Sequence, residues 1–225
     1  MSELLDNAAW HALTTVHEHH AVVVGRARRY HPDVSVFAAV ETIDEEAWAD
    51  LAELAGPGEP ITLFKGEIPE PPAGWGVDFR AVGNQMTTDD VAHGPDVGAV
   101  RLGADDVDDM LELIEETKPG PFRPRTVELG TYWGVRDQGR LVAMAGERIR
   151  VPGWTELSAV CTHPTARGRG LAAALSTRVA RGILERGEQP VLHVADGNDG
   201  ARRVYERLGF TLRRQVHFAI LRAPG

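Results

Sequence analysis

The 225-residue sequence predicts a layered α/β fold: a mixed, mostly antiparallel sheet carrying helices, with one parallel strand–helix–strand unit at its centre. Three observations predict it. Short apolar runs such as "PITLFKG" (60–66), bounded by Gly, Pro and Asp, read as strands. Longer segments such as "TIDEEAWADLAELAG" (42–56) read as capped helices. "LSAVCT" (157–162), "GRGLAAALSTRVARGILERG" (168–187) and "VLHVA" (191–195) form a strand–helix–strand unit, whose two strands should be parallel with a right-handed crossover.

Taken in order, residues 2–20 read as a helix, and "AVVVG" (21–25) and "VSVFAAV" (34–40) as short strands. In the 42–56 segment Asp44 is the expected N-cap, acids fill the first turn and Gly56 is the stop. Strands "PITLFKG" and "GWGVDFRAVGNQM" (74–86) flank the proline-rich turn "EIPEPPAG". The polar stretch 87–96 is a soft boundary, dividing the chain into 1–95 and 96–225. Beyond it, "VGAVRLG" (97–103) is a strand and 104–120 a helix with a Pro-Gly stop. Residues 130–164 read as three strands turned at "RDQGR" and "VPGW". Residues 199–209 read as a last helix and 210–222 as a last strand.

Composition narrows the class. At 43% hydrophobic and 25% charged the chain is ordinary for a soluble globular protein, with no apolar run near the roughly 20 residues of a membrane span. The acidic start "MSELLDNAAW" lacks a signal-peptide pattern, and the single cysteine, Cys161, excludes an intrachain disulfide framework; a cytoplasmic protein is expected. Residues 1–95 carry 16 Asp/Glu against 5 Lys/Arg, whereas 161–225 carry 5 against 11 arginines. An acidic chain with a local basic region suits a compact anionic ligand, not nucleic acid.

The segment "HPTARGRGLA" (163–172) sits where that ligand would bind. It joins a strand to a helix N-terminus, where free N–H groups and the helix dipole favour an anion, and its glycines allow close approach. The lysine of a P-loop and the third glycine of a dinucleotide fingerprint are both missing. What the segment resembles is the Arg/Gln-x-x-Gly-x-Gly/Ala signature of the GNAT superfamily of acyl-CoA-dependent N-acyltransferases, matched by Arg167, Gly170 and Ala172. "NDGARRVYERLGF" resembles that family's second recurrent segment through Asn198, Ala201, Tyr205, Gly209 and Phe210. The resemblance covers 97–225 in strand and helix order and is nearest the FR47-like branch. There a diverged N-terminal α/β region, here 1–95, precedes the acyltransferase domain.

The resemblance implies a GNAT-type sheet and transfer of an acetyl group from acetyl-CoA to an amine acceptor, without a metal. Val160, Cys161 and Thr162 would pair with the pantetheine arm. Arg167, Gly168, Arg169, Gly170, Leu171 and Ala172 would hold the pyrophosphate. Asn198 and Ala201 would line the pantetheine channel, and Tyr205 would protonate the departing thiolate. In histone-acetylating members a base glutamate stands eleven residues before the motif, here Glu156; Glu147, one strand earlier, is its rival. Simple alternation puts Glu156, Ser158, Val160 and Thr162 on one strand face and Leu157, Ala159 and Cys161 on the other. The competing function is a non-catalytic acyl-CoA-binding or regulatory module. Residues 1–95 lack the pyrophosphate motif and read as a degenerate copy of the fold, used for packing, homodimerisation or shaping the acceptor groove. Cys161 reads as a small buried hydrophobe, and His17 and His20 as a solvated helix end, not a metal pair.

Overall fold

The computed structural model describes residues 2–225, and among them the chain builds one eleven-stranded mixed sheet. Strands β1 (Ala21–Val24), β2 (Ala27–Tyr30) and β3 (Phe37–Ala39) form an antiparallel meander. Helix α2 (Glu45–Ala55) then crosses over to β4 (Pro60–Lys65), parallel to β3. The same order recurs later. Strands β7 (Tyr132–Asp137), β8 (Arg140–Val151) and β9 (Trp154–Thr162) are antiparallel, and α4 (Leu171–Glu185) crosses to β10 (Gln189–Ala195), parallel to β9.

The last strand of each half is exchanged. β5 (Gly76–Thr87) pairs with β10, whereas β11 (Thr211–Arg222) pairs with β4, and β5 and β11 pair with each other. With β6 (Val100–Leu102) at the far edge, the order is β1-β2-β3-β4-β11-β5-β10-β9-β8-β7-β6. The sheet is therefore continuous across the 95/96 division.

Helices cover both faces. On one, Leu175, Val179 and Ile183 of α4 and Tyr205 of α5 (Asp199–Arg207) pack on Leu157, Leu192 and Val194, while Trp48 and Leu51 of α2 pack on Leu63 and Leu221. On the other, α1 (Ala8–Leu13) packs Ala9 and Leu13 on Phe64, Val191 and Val216. There too α3 (Val107–Thr117) packs Met110 and Leu113 on Tyr132, Met144 and Cys161. Each fully buried Leu or Ile contributes roughly 1.5–3 kcal/mol, so these layers, more than helix propensity, hold the sheet's shape.

Two local expectations are corrected. The helix expected over 2–20 is a 3-10 segment (Ser2–Asn7), then α1, then a 3-10 turn (Glu18–His20). Thr14 ends α1, its hydroxyl donating back to the Trp10 carbonyl (2.8 Å), the local competition that makes threonine a poor helix interior residue. His17 and His20 are consequently buried, not solvated: His17 is 4% exposed with its Nδ1 2.9 Å from the Tyr30 hydroxyl. Strand β2, "ARRY", lies outside the expected strands because two arginines occupy four residues; Ala27 is buried on the α2 face and Tyr30 on the α1 face, where Arg28 lies over the Trp10 ring.

Candidate functional site

The site begins as a gap in the sheet. β9 and β10 pair only from Trp154 and Gln189 to Leu157 and Leu192; beyond this both continue but no longer bond to each other. Ala159 lies in the left-handed region (φ 53°), and the β8–β9 register jumps between Cys161/Met144 and Ser158/Gly146. A non-glycine residue there marks a bulge, which bends β9 away from β10. The bulge also corrects the expected alternation: Val160 packs with Leu157 on the α4 face, and Ala159 with Cys161 on the α3 face.

The gap opens into a cavity of about 420 Å³. Its one end is lined by Val160, Val194, Asn198, Ala201 and Tyr205, on the face carrying α4 and α5. Its other end is lined by Phe37, Phe218, Arg148, Glu156 and His193, on the α1 face. The cavity thus passes through the sheet.

At the first end Asn198 caps α5, its Oδ1 accepting from the Ala201 amide (3.1 Å). Tyr205, 9% exposed, packs edge-on against Phe210, and its hydroxyl has no hydrogen-bond partner among the described residues. Burial, with Cys161 nearby, pushes the Tyr205 phenol up to about 12. Burial likewise pushes the Cys161 thiol up to about 11, which removes its thiolate at neutral pH and with it any nucleophilic role.

The loop from β9 to α4 holds the basic motif. The first helical bond of α4 runs from the Ala174 amide to the Gly170 carbonyl (3.1 Å), leaving the amides of the first turn without helix partners. Gly170, the N-cap, has φ 74° and Gly168 φ 80°, and a Cβ at either would meet nothing within 4 Å. The glycines therefore serve backbone conformation and an open approach, not packing. This is a chemical fit to a diphosphate: free amides and a dipole end, each worth roughly 0.3–1 kcal/mol. Arg167 and Arg169 are exposed; Arg167 donates to the Thr162 carbonyl (3.4 Å) and Arg169 to Asp137 (2.8 Å), surface contacts too weak to hold either side chain there.

At the far end stands a network of which the sequence revealed only one member. Glu156 is 1% exposed and accepts from Arg148 Nε (3.0 Å) and Nη2 (2.6 Å), from the Ile149 amide (3.3 Å) and from His193 Nδ1 (2.8 Å). Burial would push its carboxyl up, but the Arg148 charge and the His193 hydrogen bond override that and hold it well below the usual carboxylate range. A second bulge makes the network: the β8–β9 register jumps between Glu147/Leu157 and Arg150/Thr155, so Arg148 and Ile149 both oppose Glu156. An unbulged hairpin would turn Arg148 to the opposite face. Alternating charges beside the "VPGW" turn were the only sequence signal for Arg148, and a histidine inside an apolar strand the only one for His193.

Glu147 is not brought to this cavity. Its carboxylate accepts from Arg186 (2.9 Å) and the Thr131 amide (3.3 Å), and it lines a separate cleft beside α4 with Trp133 and Arg178. Among the described residues no cluster of three or more His, Cys, Asp or Glu has metal-binding geometry, and no helix is long and apolar enough to cross a membrane.

Similarity to known proteins agrees with this architecture. The FR47-like protein family matches residues 132–219. A GNAT-family protein of Novosphingobium aromaticivorans DSM 12444, described as a candidate acetyltransferase, is 41% identical over 98% of this chain and 99% of its own, with a TM-score of 0.90. A GCN5-related N-acetyltransferase from Kribbella flavida (20% identity, 96% of each chain, TM-score 0.60) shares the fold. So does a tandem GNAT protein of clavulanic acid biosynthesis (18% identity, 90% of this chain and 80% of that one, TM-score 0.58). No curated protein matches the chain. The chain belongs to the GNAT family of N-acetyltransferases.

Proposed function

We propose that this protein transfers the acetyl group of acetyl-CoA directly to the nitrogen of an amine acceptor. The observation that carries the reading is one continuous arrangement: free amides at the start of α4, the unpaired edge of β9, and a cavity reaching through the sheet past an unpartnered phenol. The amides from Arg167 to Ala172 would hold the diphosphate, and the backbone of Val160, Cys161 and Thr162 would pair with the pantetheine arm beside Asn198 and Ala201. When bound, the thioester supplies the acyl group.

Tyr205 is the general acid in this reading. A phenol raised to about 12 keeps its proton until a thiolate, whose conjugate acid lies near 8.5, is leaving. Of the two glutamates, Glu156 is assigned to the reaction because it lines the Tyr205 cavity and Glu147 does not. Its lone pairs are already engaged by four donors, so its part is to hold charge and orientation at the acceptor end, and the role of proton-accepting base is withdrawn from both. Residues 96–225 carry the reactive machinery and 1–95 complete the acceptor end through Phe37, Phe79 and Ala81.

Calorimetry with acetyl-CoA and CoA, on the wild type and an Arg167→Ala/Arg169→Ala double variant, tests the reading. Saturable binding weakened at least tenfold in the variant supports it. Binding of neither ligand would remove acyl-CoA from the function.

A further inference from the structure

We infer that the acceptor is an apolar amine that reacts as its free base, having lost its proton before it enters the cavity. The inference rests on the acyl-transfer reading above and concerns what the far end of that cavity can and cannot do. Four titratable side chains line the cavity: Arg148, Glu156, His193 and Tyr205. Arg148 carries no lone pair for a proton, and Tyr205 is a proton donor.

Glu156 and His193 are the two conventional bases, and both are fully engaged. The carboxylate's roughly four acceptor directions receive the four donors described above. His193 gives its Nδ1 proton to Glu156, so Nε2 carries the lone pair, and that lone pair faces Gln85 Nε2 at 2.9 Å. Gln85 cannot turn over to offer its oxygen instead. Its Oε1 accepts from Arg213 Nη1 (2.6 Å) and its Nε2 also donates to the Leu5 carbonyl (3.1 Å). Protonating His193 would set two N–H groups against each other.

The remaining groups near the pair offer nothing better. The Tyr30 hydroxyl is bonded to His17, and the Tyr132 hydroxyl donates to the Glu147 carbonyl (2.6 Å). The Arg148 charge cancels that of Glu156, so the far end has no net negative field to attract an ammonium ion. The walls there are Phe37, Phe218, Ile220, Ala81 and Ile114, with the neutral Thr62 and Ser158 hydroxyls as the polar side chains outside the ionic network. A charged nitrogen entering among them would lose its hydration with no opposite charge to compensate it. A neutral amine with an apolar body meets neither penalty.

The proton balance closes without a resident base, because only the Tyr205 oxygen, once it has given its proton to sulfur, takes one up. The C–N bond forms as the C–S bond breaks; the nitrogen sheds one proton and the sulfur gains one. The Tyr205 hydroxyl delivers its proton to sulfur and is refilled by the proton shed from nitrogen, so no residue ends with altered charge.

The test measures kcat/KM against pH on the full chain, by thiol release from acetyl-CoA, with cyclohexylamine, the less basic benzylamine, and spermidine as a polar cation. The expected result is an alkaline limb that shifts between cyclohexylamine and benzylamine by the difference in their own pKa values. Both should exceed spermidine at least tenfold. Coincident limbs would mean that an enzyme group takes the proton, and preference for spermidine would mean that the cavity accepts a charge; either overturns the inference alone. Thiol release with none of the three, despite acetyl-CoA binding, overturns the acyl-transfer reading and this inference with it.

Discussion

At the residue scale the chemistry turns on where a proton can reside. Tyr205→Phe removes only a hydroxyl that has no hydrogen-bond partner among the described residues, so acetyl-CoA affinity should stay within about twofold. The turnover number should fall by a factor on the order of 10²–10⁴, the usual worth of a positioned general acid; stopped-flow thiol release beside calorimetry separates the two. Glu156→Gln should instead cost stability, about 3–5 kcal/mol in urea unfolding, because it leaves the buried Arg148 uncompensated. A double variant, Glu156→Leu/Arg148→Met, should be less damaged than either single one. His17 supplies the pH dependence. Burial, helped by the charges of His20, His19 and Arg150, lowers it to about 4, below the ordinary value of 6.5. A histidine depressed in the folded state binds its proton more readily when unfolded, so its contribution is whole above pH 6.5 and is lost as pH falls toward 4. That loss is up to about 3 kcal/mol, and His17→Asn should flatten the stability curve across this window. Tyr205, Asn198 and the Arg167–Ala172 loop could be picked out as candidates from the sequence because two short contiguous motifs carry the family resemblance. Arg148, His193 and Gln85 could not, because a bulge and two non-consecutive strands bring them together.

At the element scale the decisive features are a helix start and two bulged strands. Gly170→Ala places a side chain at φ 74°, which costs roughly 1–2 kcal/mol at a left-handed position, although nothing stands within 4 Å of the new Cβ. The larger effect should fall on CoA: its affinity should drop several-fold while that of pantetheine, which has no diphosphate, stays unchanged. A competition titration with both ligands checks this, and equal losses would place the diphosphate elsewhere. Most elements were legible. Helix α2 begins at Asp44, whose carboxylate accepts from the Ala47 amide (2.9 Å), and stops at Gly56 with φ 93°, as its capping residues require. The β9–α4–β10 unit is parallel, as its connection length demands. The register shifts in β9 were not legible, since Ala159 carries no glycine or proline to announce a left-handed turn inside a strand.

At the scale of the whole molecule the exchanged strands are the main constraint. Because β5 lies between β10 and β11, and β11 between β4 and β5, each half completes the sheet of the other. Fragments 1–95 and 96–225 expressed separately should lack a cooperative unfolding transition, and coexpression should restore one; two independent transitions in the intact chain would contradict this. The topology also has a consequence for synthesis. β11 is the last of the eleven strands in sequence yet fills the middle of the sheet, so until it has left the ribosome β4 and β5 stand apart with both inner edges bare. Those edges are competent to pair with other chains until the final strand is released. Pairing so distant in sequence closes slowly. The most exposed interval of synthesis is therefore the one before β11 emerges and docks, when the protein should depend most on dilution or on chaperones that shield unpaired strands.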